Sequence, residues 1–131
     1  MTLPARRSGF TLIELLVVMA IIAMLITLAI PRYFHSVEKT KEAVLHENLS
    51  RTRDALDKYY GDNGRYPDSL EALVTKKYLR ALPFDPITDS TTSWVIVPPE
   101  ASDKGTDKGA VYDLKSGSTA TARDGSKYQD W

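Results

Sequence analysis

One acidic residue stands inside an otherwise apolar run near the start of the chain. Residues 10–30 contain two threonines, Glu14 and no other polar side chain. A carboxylate within lipid costs about 2.5–3.5 kcal/mol on insertion scales, so Glu14 is either a tolerated carboxylate that reaches the interface or one with a cationic partner, and the run itself holds no Lys, Arg or His. Cleavage after Gly9 would create that partner, because the freed α-amine of Phe10 has a reference pKa of about 7.7–8.0. Such an amine could pair with Glu14 of a neighbouring chain and set the register between two helices.

Other residues that could do chemistry do not assemble into a known site. His35 and His46 would lie about 16 Å apart along one helix, which is too far to share a metal ion. The chain has no cysteine, which excludes disulfides, thiolate zinc sites and thiol nucleophiles. Phosphate-binding loops, G-x-S-x-G and H-E-x-x-H are also absent from the sequence. We therefore expect a protein that is not an enzyme.

The charge balance argues against a nucleic-acid partner. The formal net charge is zero, and the chain from Arg32 onward carries 15 basic and 16 acidic residues. Proteins that bind DNA or RNA concentrate positive charge on one surface to neutralise phosphates. We therefore expect no nucleic acid among the partners.

The apolar run predicts a transmembrane helix. As a helix, residues 10–30 would be about 31 Å long, close to the ~30 Å hydrocarbon core of a bilayer. A buried core helix is the first alternative, but a domain this small has little room for a helix that is apolar on all sides. A cleaved secretory signal is the second, but the run is too long for one. Arg6 and Arg7 precede the run, which predicts a cytoplasmic N-terminus and residues 32–131 across the membrane.

The chain after Pro31 predicts an α+β domain. Pro31 predicts a kink or a local loss of helix, after which an amphipathic half continues to about Tyr60. A short helix capped by Asp68, with Glu71 three residues on, would extend to about residue 77. Strands are expected at 94–97 and 110–114, a polar loop at 101–109, and a last strand or a packed end at 128–131. The apolar stripe of the amphipathic helix half would be formed by Val37, Val44, Leu45, Leu49, Leu56, Tyr59 and Tyr60. The aromatic core of the domain would be formed by Tyr59, Tyr60, Tyr66 and Trp94.

The stretch SGFTLIELLVV, residues 8–18, resembles the N-terminus of type IV pilins and type II secretion pseudopilins. The resemblance implies that a prepilin peptidase cleaves between Gly9 and Phe10 and methylates the new N-terminal Phe10. It also implies assembly roles for Glu14, as the fifth mature residue, and for Pro31, as the helix-kinking proline. The expected domains are a leader at 1–9, a transmembrane and filament-core helix at 10–30, and a periplasmic pilin-like domain at 31–131 that includes the second half of the long helix.

The rest of the chain resembles the major pseudopilin, the G subunit, in the order of its motifs. Arg65-Tyr66-Pro67, the segment LRALPFDP at 79–86, Val111-Tyr112-Asp113 and Trp131 follow that plan. The implied fold is a long N-terminal helix, half transmembrane and half amphipathic, packed on a small antiparallel sheet. The implied function is a structural subunit of a periplasmic filament that drives export of folded proteins. The implied partners are further copies of the chain, other pseudopilins, the prepilin peptidase, and an inner-membrane assembly platform with its ATPase.

Two other functions fit the same motifs. A major or minor type IV pilus subunit would serve adhesion, motility or DNA uptake. Many such pilins close their C-terminal region with a cysteine pair, which this chain lacks. A membrane-anchored periplasmic binding or hydrolytic domain is the third possibility, and it would leave the leader uncleaved.

Calcium is the one cofactor that the resemblance suggests. G subunits often bind calcium in a C-terminal loop through an Asp-Gly-rich segment, whereas residues 115–127 here contain few acids. Asp113, Ser116 and Asp124 could contribute oxygens, but calcium takes six to eight oxygen ligands. The alternative is a surface loop of Ser, Thr and Gly.

Overall fold

A computed structural model describes residues 2–101 and 105–131 of the protein. The chain divides into two units, Met1–Val37 and Glu38–Trp131, and the second unit is the head. The elements are α1 (Leu12–Asn63), α2 (Leu70–Thr75), β1 (Val95–Val97), β2 (Asp113–Lys115) and a 3-10 helix at Tyr128–Asp130. This arrangement confirms the α+β prediction. The predicted loop at 101–109 lies partly outside the described residues.

The long helix α1 is continuous through Pro31, so the local loss of helix predicted there does not occur. Proline removes one backbone hydrogen bond, the one that its missing N–H would have donated to the carbonyl of Thr27, and the bonds on either side remain. The helix also extends three residues beyond the predicted end. Gly64 stops it, because its φ of 69° is a conformation that glycine adopts without steric cost and its N–H closes on the Tyr60 carbonyl at 2.8 Å.

One face of α1 supplies the core of the head. Leu45, Leu49 and Leu56 are at most 1% exposed and lie in one cluster with Trp94 and Leu114. Their spacing of four and seven residues keeps them on one side of a 3.6-residue helix. The stripe predicted from the sequence is therefore confirmed at these leucines. It is wrong at Val44 and Tyr60, which are 40% and 44% exposed.

The short helix α2 begins one residue later than its predicted cap. Ser69 is the N-cap, and its Oγ accepts a hydrogen bond from the backbone N–H of Ala72 at 3.3 Å. Asp68 instead receives the guanidinium of Arg65 at 2.8 Å. The prediction of Asp68 as the cap was wrong because an ion pair holds its carboxylate away from the helix end.

The described residues form one antiparallel sheet of two strands, β1 and β2. Strand β2 begins at Asp113 rather than at the predicted Ala110. The backbone N–H groups of Ala110 and Val111 both donate to the carbonyl of Pro67, at 3.1 and 3.0 Å, so they are not available to the sheet. The chain end is helical rather than extended, and Tyr128 is buried in the core, which confirms the packed alternative.

Candidate functional site

The predicted cleavage point lies in an open segment. Residues 2–11, all within the described part of the chain, form neither helix nor strand and are exposed. Phe10 is 85% exposed. Apart from Gly9 and its two chain neighbours, no atom of the described residues lies within 4 Å of the position that a Cβ on Gly9 would take. The peptide bond between these two residues is therefore sterically accessible to a processing enzyme.

Thr11 lies directly before the first residue of α1, and Glu14 lies in its first turn. The Thr11 Oγ1 accepts a hydrogen bond from the backbone N–H of Glu14 at 3.1 Å. The pair has the T-x-x-E spacing of a capping box, and a carboxylate in the first turn gains about 0.3–1 kcal/mol from the helix dipole. Sequence reasoning missed Thr11, although the spacing directly before the apolar run was the signal. The Glu14 carboxylate therefore stabilises the N-terminal end of α1 within a single chain.

The first half of α1 leaves its apolar side chains uncovered. Between residues 12 and 30 the exposure of the large apolar side chains runs from 76% at Leu12 to 43% at Ile22. By length and composition, α1 contains one stretch that could cross a membrane. The hydroxyl of Thr27 is satisfied within the helix by the carbonyl of Ala23 at 2.8 Å. Since exposed apolar surface of this extent is rare on soluble proteins, it must be covered by lipid or by other helices.

In the head, Arg53 ties α1 to the end of the chain. Its Nε donates to Oδ1 of Asp113 at 2.8 Å, and its Nη2 donates to the carbonyl oxygens of Leu114 at 3.3 Å and Trp131 at 2.7 Å. The guanidinium therefore joins three parts of the fold: α1, β2 and the last residue. Sequence reasoning did not single out Arg53, because its partners lie 60 to 78 residues away.

Glu42 and His46 add two further contacts between α1 and the C-terminal segment, residues 116–131. A Glu42 Oε1 accepts hydrogen bonds from the Tyr128 hydroxyl and from the Arg123 backbone N–H, both at 2.9 Å. Burial, together with the hydrogen bond to Glu42, raises the pKa of Tyr128 to about 12. The His46 ring stacks on Trp131 with centroids 3.9 Å apart.

The three predicted calcium ligands have different partners in the structure. Asp113 binds Arg53, as described. Ser116 is fully buried and donates its hydroxyl to Oδ2 of Asp85 at 2.5 Å. The carboxylate of Asp124 accepts from the Ser126 hydroxyl at 2.6 Å and the Ser126 backbone N–H at 2.9 Å, which lowers the pKa of Asp124.

These contacts do not fit a calcium site formed by the three side chains. Within residues 2–101 and 105–131, no group of three or more His, Asp or Glu residues could hold a metal ion. A calcium ion needs six to eight oxygens that converge on one point. Here the Asp113 carboxylate already pairs with the Arg53 guanidinium, and the Ser116 hydroxyl donates its hydrogen bond to Asp85. Calcium binding stays a prediction from the resemblance.

Asp85 lies in the segment LRALPFDP, residues 79–86, and was not predicted as a site residue. Its carboxylate is wholly buried and accepts the backbone N–H groups of Ile87 at 2.9 Å and Thr88 at 3.3 Å. Asp before a turn commonly bonds its own backbone in this way, so these two contacts could have been read from the sequence. The contact with Ser116 could not, because it joins residues 31 positions apart.

Comparison with known proteins bears on these features through one family model and three relatives of the same name. Residues 4–30 match the family model described as the prokaryotic N-terminal methylation motif. Over 97 residues, 62% of this chain, the sequence is 36% identical to type II secretion system core protein G of Pectobacterium carotovorum and spans 62% of that relative. The proteins of the same name from Aeromonas hydrophila and Pseudomonas aeruginosa are 35% and 36% identical, with 68% of each covered.

No solved structure matches the chain significantly. The relatives' shared name, the methylation motif across the start of α1 and the long-helix α+β fold agree with one another. The chain belongs to the family of type II secretion system core protein G, the pseudopilins of the type IV pilin superfamily.

Proposed function

We propose that the protein is a structural, non-enzymatic subunit of a periplasmic pseudopilus that drives export of folded proteins in a type II secretion-like system. The observation that carries the proposal is the uncovered apolar half of α1, with Glu14 as its one charged side chain, in a chain of the core protein G family. An exposed apolar helix on a soluble head suits a subunit that exchanges lipid contacts for contacts with identical helices.

Before assembly, the helix at residues 10–30 anchors the chain in the inner membrane as a single span. Arg6 and Arg7 keep the N-terminus in the cytoplasm, and the head lies in the periplasm. A prepilin peptidase then cuts between Gly9 and Phe10 and methylates the Phe10 amine. The open conformation around this bond supports that step.

In the filament, helix-to-helix packing replaces lipid. Both surroundings are apolar, so the transfer gives little hydrophobic free energy, and specificity must come from packing and polar contacts. The Phe10 amine of one subunit pairs with Glu14 of another and fixes their axial register. Pro31 lets α1 adapt its course where the helices pack most closely. The partners are further copies, other pseudopilins, the peptidase, and the assembly platform with its ATPase.

The first experiment compares the culture medium of a strain lacking this gene with that of its parent and of the strain complemented with the wild-type gene. We expect a set of exported enzymes to leave the medium and accumulate in the periplasm of the deletion strain. An unchanged medium together with loss of surface filaments would instead support the type IV pilus subunit. An unchanged medium with an uncleaved chain, seen by N-terminal sequencing of the membrane-bound protein, would support the anchored binding or hydrolytic domain.

A further inference from the structure

We infer that the Arg53 guanidinium holds the C-terminal segment in the role that a bound calcium ion would otherwise fill, so that the head folds and stays folded without calcium. The stability part of this inference stands apart from the proposed function. Its consequence, that assembly of the filament needs no calcium, rests on that function.

The oxygens around Arg53 are of the kinds that calcium prefers. They are one carboxylate, from Asp113, and the main-chain oxygens of Leu114 and Trp131, each within 3.3 Å of a guanidinium nitrogen. Calcium sites in proteins use this combination of carboxylates and carbonyls. A guanidinium offers five N–H donors in a fixed plane, so a single side chain can satisfy all three oxygens and neutralise the carboxylate.

The position of Arg53 prepares it for this role. It follows Thr52, which is 1% exposed, on the part of α1 that is fixed by the core of the head. The ion pair with Asp113 is partly shielded, since the two side chains are 36% and 26% exposed. Partial burial strengthens a charge-assisted hydrogen bond relative to a fully solvated pair. Arg53 can therefore link α1 to β2 and to residue 131 without large side-chain reorganisation.

Three further side-chain oxygens in or against the C-terminal segment already have partners. The Ser116 hydroxyl is directed to the buried Asp85, and the Asp124 carboxylate closes a turn on Ser126. Glu42 receives the Tyr128 hydroxyl. Recruiting these groups to a calcium ion would require breaking hydrogen bonds that the fold already makes.

The test is thermal unfolding of the full chain in detergent, followed by tryptophan fluorescence, in millimolar calcium and in excess EGTA. We expect the wild-type Tm to be the same in both. Arg53→Met should lower the Tm by about 4–8 °C in both conditions, the shift that ~1 kcal/mol produces in a domain of this size. The matched control is Arg51→Met on the same helix, whose ion pair with Glu47 is exposed, and its shift should be much smaller.

A Tm of the wild type that falls in EGTA by as much as the Arg53→Met shift would overturn the inference. Should Arg53→Met not fold, Asp113→Asn removes the carboxylate charge with little change of shape, and it too should lower the Tm equally in calcium and EGTA. Equilibrium dialysis with radioactive calcium adds a direct measurement: we expect no stoichiometric uptake. Stoichiometric calcium uptake by the wild type that is lost in Asp124→Asn would contradict the inference. None of these results depends on whether the deletion strain loses secretion.

Discussion

At the scale of single residues, mutation can separate the proposed pairing role of Glu14 from its place in the first turn of α1. Glu14→Ala should leave cleavage intact and abolish filaments, because the Phe10 amine loses its partner. Thr11→Ala is the matched control, since it removes the capping hydroxyl, worth about 1 kcal/mol, and keeps the carboxylate. Filament yield by electron microscopy and N-terminal sequencing are the measurements. Normal filaments from Glu14→Ala, or equal losses in both variants, would contradict the pairing role.

Tyr128 makes the head sensitive to alkali. Its pKa is about 12 in the folded chain and about 10 when unfolded, so between these values only the unfolded chain releases the proton. The stabilisation is complete below about pH 10 and is lost as the pH rises toward 12. We expect the free energy of unfolding, measured by urea denaturation, to decrease less steeply with pH across this range in Tyr128→Phe than in the wild type. Tyr33→Phe, at a side chain that is 67% exposed, should keep the wild-type slope. An unchanged slope in Tyr128→Phe would refute the assignment.

At the scale of elements, substitutions at two glycines test whether local backbone conformation and steric space control the stability of a loop and of α1. Gly109 has a φ of 84°, and a Cβ there would overlap the carbonyl oxygen of Tyr66. Gly109→Ala should therefore destabilise the head by at least about 1–3 kcal/mol. Gly61 lies inside α1 with open space around it, so Gly61→Ala should stabilise by about 0.5–1 kcal/mol. Chemical denaturation measures both, and shifts of the same sign would show that local backbone conformation does not control these positions.

At the scale of the whole molecule, we expect the uncovered apolar part of α1 to hold the protein in the membrane. In a strain without the proposed assembly ATPase, we expect the chain to stay in the membrane pellet after an alkaline carbonate wash, because only lipid can then cover residues 10–30. Protease added to spheroplasts should digest the head and spare the N-terminus. Release by the wash, or protection of the head, would contradict the proposed anchor and its orientation. Inner-membrane proteins of the same cells with domains on the periplasmic side serve as the accessibility control.

The sequence by itself determined the features that depend on local pattern. The apolar run, the two arginines before it and Glu14 within it predict the anchor and the motif, and the later match to residues 4–30 agrees. The four- and seven-residue spacing of Leu45, Leu49 and Leu56 predicts the buried face of α1. These inferences succeed because helix periodicity and hydrophobicity act between neighbours in the chain.

Only the tertiary structure decided how the C-terminal segment is held. Asp113 faces Arg53 across 60 residues and Ser116 faces Asp85 across 31, so these side chains are parts of two separate internal contacts. The start of β2 was likewise misplaced, because Pro67 takes the backbone N–H groups of the residues before it. A hydrogen bond between distant residues depends on which elements come into contact when the chain folds. Residue type and local spacing do not specify those contacts.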